Sequence, residues 1–79
     1  MNWSYRIIRH KNKQQETYYA IHEVFYRKNG NAYLVTEKPI DIIGDTELEV
    51  KEIIFTILKD AFYNPVLDMS FFNKRKKIK

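Results

Sequence analysis

The sequence has no cysteine, only two glycines, two prolines and two histidines, and each scarcity removes a class of function. Without cysteine there is neither a disulfide staple nor a thiolate metal site. His10 and His22 are the only imidazoles, and they show no HxH or HxxxH spacing for a metal. Gly30 and Gly44 both sit in turn-like surroundings, so no phosphate cradle can be built. GxGxxG, P-loop, HExxH and GxSxG patterns are all absent. The expectation is a protein that is not an enzyme and uses no cofactor. Long apolar runs are missing too. Arg6, Arg9, Lys11 and Lys13 break up the N-terminal stretch, which rules out a signal-peptide pattern. The stretch from Ile53 to Phe62 is interrupted by Thr56, Lys59 and Asp60 and is too short for a bilayer. A cytoplasmic protein without a membrane partner is expected.

What is present fits one small domain. A chain of 79 residues buries about 60–65% of its unfolded surface, close to the lower limit for folding alone. Chains near that limit rely on disulfides, metals, very regular packing or a partner subunit. Here the first two are excluded, which leaves packing or oligomerisation.

The net charge of +4 is not spread over the fold. Residues 1–28 hold six Lys/Arg against two Asp/Glu, and residues 37–68 hold three against eight. The last eleven hold five Lys/Arg and no acid. The body is about neutral, and the basicity belongs to the end of the chain.

Trp3 to Arg9 alternates, with Trp3, Tyr5, Ile7 and Arg9 on one side and Ser4, Arg6, Ile8 and His10 on the other. This is a strand pattern. Lys11 to Glu16 is a polar loop. Thr17 to Lys28 is a second strand rich in Tyr, Ile, Val and Phe, and it ends at Asn29-Gly30, a dipeptide suited to a hairpin turn. Ala32 to Glu37 returns as a third strand until Lys38-Pro39 stops it. Thr46 to Glu49 forms a capping box, with Glu47, Glu49 and Glu52 favouring the positive end of a helix dipole. Val50, Ile53, Ile54, Ile57, Leu58, Ala61 and Phe62 make an apolar stripe at helical period, and Asn64-Pro65 closes it. The expected fold is α+β: a three-stranded antiparallel sheet (β-β-β) followed by one amphipathic helix packed on one face, with a C-terminal extension. Residues 1–72 form the single domain, and residues 73–79 a basic, disordered tail.

One helix covers one face of a sheet. With a two-residue turn at Asn29-Gly30, Phe25 lies opposite Leu34 and Val24 opposite Val35. A three-residue loop including Asn31 would shift that register. One face then holds Tyr19, Ile21, Glu23, Phe25, Leu34 and Thr36, and the other Tyr18, Ala20, His22, Val24, Tyr26, Tyr33 and Val35. The first, joined by Trp3, Tyr5 and Ile7, is taken as the core. The second is also apolar and needs a cover. The segment with Val66, Leu67, Met69, Phe71 and Phe72 can fold back over it, a second copy can pack there, or another protein can dock.

The candidate partner-binding residues are therefore Tyr18, His22, Val24, Tyr26, Tyr33 and Val35. The functional expectation is a non-enzymatic protein-binding module acting through that face, as a homodimer or on another protein. By size alone, an inhibitor carried by a phage or mobile element against a host complex such as a CRISPR effector is one subtype of this reading. The alternative is a nucleic-acid-associated accessory protein using Lys74, Arg75, Lys76 and Lys77 together with Arg6, Arg9, Lys11 and Lys13 to neutralise phosphates. His22-Glu23 is no acid–base pair, because strand neighbours point to opposite faces. Glu23 is expected to pair with Arg6 or Arg27, and the N-terminal basic cluster to complement Glu47, Glu49 and Glu52.

The residues Trp3-x-Tyr5-Arg6-Ile7, Tyr19-x-Ile21-His22-Glu23-Val24-x-Tyr26, Pro39, Gly44-Asp45-Thr46 and Pro65-Val66-Leu67 together resemble a group of small uncharacterised bacterial proteins. The resemblance covers residues 3–68. It implies a compact bacterial domain and no assigned activity.

Overall fold

The structure, a computed structural model, describes residues 2–72 and the two-residue stretch 77–78. Three strands form as the alternation requires: β1 (Asn2–Lys11), β2 (Thr17–Tyr26) and β3 (Ala32–Thr36). β1 and β2 pair antiparallel over their whole length, from Asn2 opposite Tyr26 to Lys11 opposite Thr17. The loop between them is closed by Asn12, whose side-chain oxygen accepts from the Gln14 and Glu16 amides.

The β2–β3 hairpin keeps the expected register by an unexpected route. The Arg27 amide donates to the Asn31 carbonyl, so the loop holds three residues, and Gly30 supplies the positive φ of 89° that such a turn needs. That shifts pairing by one residue, to Tyr26 opposite Ala32. An irregularity between Phe25 and Tyr26 then shifts it back, and Phe25 meets Leu34 and Val24 meets Val35.

Two short strands that the sequence did not announce complete the sheet. β4 (Leu67–Asp68) runs parallel to β1, and β5 (Lys77–Ile78) runs parallel to β3. The sheet is therefore mixed, with order β4-β1-β2-β3-β5, and the expectation of a purely antiparallel three-stranded sheet is corrected. Two residues are too few for an alternation to register. β4 comes from the expected C-terminal extension, and β5 from residues 73–79, expected as a basic, disordered tail. The tail residues 73–76 and 79 lie outside the described residues.

The helix α1 (Glu47–Ile57) starts at its capping box. The Thr46 hydroxyl accepts from the Glu49 amide at 3.1 Å, while the Glu49 carboxylate accepts from the Asp45 amide at 3.1 Å. It continues as one wider π turn over Leu58–Phe62. There the Asp60 carboxylate accepts the Tyr5 amide of β1 at 3.2 Å, so the helix end is tied to the sheet edge.

The core lies on the side opposite to the one expected. Ile8, Val24 and Val35 have no exposed surface and pack with Phe72, flanked by Leu67, Met69, Tyr26 and Ala32. These are the residues of the second face, and the cover is the turn of 3-10 helix at Met69–Phe72. Ile21, Phe25 and Leu34, taken as core from the sequence, are only half-buried. The helix does lie on their side, but α1 has no fully buried residue. The sheet is thus sandwiched between a well-sealed layer made by the chain's end and a looser layer made by its helix.

Candidate functional site

The six residues expected to bind a partner turn inward or are already engaged. His22, Val24 and Val35 are fully buried. Tyr26 is half-buried, and its hydroxyl lies 2.7 Å from Ser4 Oγ and accepts from Arg6 Nη1 at 3.0 Å. Tyr33 sits beneath the Arg27 guanidinium, 4.5 Å from its ring centre. Only Tyr18 remains at the surface, stacked on His10 with ring centres 4.7 Å apart. The docking face read from the sequence is therefore corrected: Phe72 already occupies it.

That face also hides a polar chain. Ala20 is the small residue between Tyr18 and His22 on β2, and on the same face His10 and His22 meet with their Nε2 atoms 2.8 Å apart. His22 Nδ1 lies 2.9 Å from the Thr36 carbonyl. A carbonyl only accepts, so His22 carries its proton on Nδ1 and its Nε2 accepts from His10. Burial, and secondarily the charge of His10, push the His22 pKa below its ordinary value, against the opposing pull of the Thr36 hydrogen bond. A doubly protonated pair would set two N–H groups head to head.

The basic cluster is dispersed in the same way. Arg6 is buried on the inner face, donating to Tyr26 and to the Pro65 carbonyl, and its Nε has no partner. Arg9 is bound by Asp68 at 2.8 Å, and this contact, with help from Ser70, holds the Asp68 carboxyl well below the usual carboxylate range. Lys11 and Lys13 are exposed. Lys74, Arg75 and Lys76 fall outside the described residues, and the backbone of Lys77 pairs with β3. Neither Arg6 nor Arg27 forms an ion pair with Glu23, and the acidic start of α1 pairs with Lys51 of its own helix. Among the described residues no cluster of three or more metal-ligating side chains occurs. No helix among them is long and apolar enough to cross a membrane.

The surface that stands out is on the helix side. Projected at about 100° per residue, the apolar side chains of α1, from Ile53 round to Leu48, span roughly 220° of arc. The flank holding Val50, Ile53, Ile57 and Ala61 faces the sheet and is half-buried or buried. The other flank does not reach it: Ile54 is 52% exposed, Phe55 60%, Leu58 48% and Phe62 70%. Between this ridge and the sheet runs an open cleft of about 300 Å³ lined by Ile7, Ile21, Ile54, Ile57, Leu58, Ala61 and Phe62. Every one of these side chains is apolar. The signal for it lay in Leu48 and Phe55, which widen the apolar stripe beyond half the helix circumference. Only the sheet's small size, which limits what it can cover, turns that width into exposure.

Such a surface cannot do acid–base or nucleophilic chemistry, because no titratable group lines it. It can exclude water around another apolar surface. Neither a known protein family, nor a curated protein, nor a solved structure matches this chain.

Proposed function

We propose that this chain is a small, non-enzymatic protein-binding module that binds through its helix side and not through the inner face of the sheet. The observation that carries this reading is the exposed ridge Ile54, Leu58 and Phe62 standing beside an apolar cleft. Contiguous apolar surface of this kind is rare on monomers and marks interaction sites. Desolvating such side chains supplies most of the energy of protein association. The nucleic-acid reading has less support, since Arg6 is buried and Arg9 is neutralised by Asp68.

A photo-crosslinking amino acid placed at Phe62 tests this reading in cells that naturally contain the protein. A discrete protein adduct at position 62, absent when the same group is placed at Lys13, is the expected result. Equal, diffuse labelling at both positions would remove the basis for a defined docking side.

A further inference from the structure

We infer that the occupant of this helix side is a second copy of the same chain, packed with its α1 antiparallel about a two-fold axis near Phe55. The inference rests on the binding reading above and names its partner.

Three observations carry it. First, ridge and cleft lie side by side on one surface. A two-fold interface is self-complementary, so each copy's Ile54–Leu58–Phe62 ridge can enter the other's cleft. Second, the charges at the rim suit antiparallel helices. Glu52 and Lys59 are seven residues apart and so lie along the same edge of the exposed flank, at about 140–160° from Ile54 in projection. Antiparallel packing brings like edges together, and an axis near Phe55 sets Lys59 of one copy against Glu52 of the other, twice. A parallel pair would bring different edges together and lose both contacts. Lys51 lies within the flank but is already paired with Glu47 at 2.8 Å, which keeps its charge compensated at the interface. Third, the chain on its own is short of core. Among the described residues the buried apolar ones are Ile8, Val24, Val35, Ala61 and Phe72, and α1 contributes none. With no disulfide to help and a core this small, oligomerisation is one of the two ways left to stabilise a domain of this size. A standard interface takes about 800 Å² from each partner, against a total surface of 6151 Å². The exposed parts of Ile54, Phe55, Leu58 and Phe62, at roughly 150–250 Å² per large side chain, supply about half of that, and the polar rim the rest.

Sedimentation over a concentration series, with amide hydrogen exchange on the same samples, tests the inference. The expected result is a species of twice the 9.6 kDa chain mass whose protection at residues 47–63 falls on dilution. Leu58→Lys, at an exposed position, should weaken dimerisation at least about tenfold while leaving the circular dichroism of the fold unchanged. Lys59→Glu and Glu52→Lys should each weaken it, and the two together in one chain should restore it. Restoration requires Lys59 to meet Glu52 across the axis, which docking on a different protein would not produce. A wild-type monomer with Leu58 and Phe62 accessible to solvent would overturn the second copy as occupant and leave the binding side standing. A dimer indifferent to Leu58→Lys, or a monomer in which these side chains are sealed, would overturn both.

Discussion

The two sides of the sheet draw on similar residues and reach different ends. On the inner side Ile8, Val24 and Val35 lose all exposure beneath Phe72. On the helix side Ile7 and Ile21, of the same residue types, share an open cleft with Leu58 and Phe62. Hydrophobicity alone does not separate them, and neither does strand propensity. The difference lies in the cover. The four residues Met69–Phe72 are held close by Leu67, whose strand β4 pairs with β1 at Ile8, so Phe72 is delivered onto Ile8, Val24 and Val35. The helix is longer but meets the sheet mainly at β1, where Asp60 is tied to Tyr5, and its apolar arc is too wide for the contact it makes. A short, well-placed cover seals more completely than a long one joined at one edge.

The largest test of this contrast is Phe72→Ala. Removing a ring with no exposed surface should cost about 3–5 kcal/mol in urea unfolding, enough to unfold much of a domain this small. A cost below about 1 kcal/mol would mean that the inner side is not the one that holds the fold.

A smaller effect comes from acid. His22 is held neutral, with its pKa lowered by burial. The unfolded chain therefore takes up a proton near pH 6.5 while the folded one does not. The stabilisation is complete above about pH 6.5 and is lost as pH falls toward the depressed folded value, by up to about 1.4 kcal/mol for each unit. Below the ordinary aspartate range Asp68, whose folded pKa is also lowered, adds a loss of the same sign. Urea midpoints at pH 7.5 and 5.5, with the His22 ring followed by NMR, check this. A His22 ring titrating at or above its ordinary value would break the account of the inner side.

The smallest effect is expected at Phe62, as large as Phe72 but 70% exposed. Phe62→Ser should change unfolding within about 0.5 kcal/mol at concentrations too low for association. A loss comparable to that of Phe72→Ala would erase the distinction between the sides.

Much of this arrangement was legible from residue order. Trp3–Arg9 and Thr17–Tyr26 read as strands because alternation and β-branching agree, and Thr46–Glu49 marks a helix start wherever it falls. The choice of inner face was not legible, because it depends on where Phe72 lands and not on the strands themselves. Phe71 and Phe72 precede a basic run and carry no periodicity of their own. The meeting of His10 with His22 is equally silent in sequence, since it requires the β1–β2 register. The α+β class and the single helix follow from the pattern, whereas the parallel edge strands at Leu67–Asp68 and Lys77–Ile78 do not.

The β2–β3 hairpin carries two one-residue offsets, a three-residue loop at Arg27–Asn31 and an irregularity beside Tyr26, and they cancel. Removing one residue of the loop leaves Arg27 facing Asn31, and removing Tyr33 leaves Phe25 facing Leu34, so Val35 keeps its seat beneath Phe72 in both cases. Such a hairpin absorbs length changes at its two irregular points without exchanging the faces of β3.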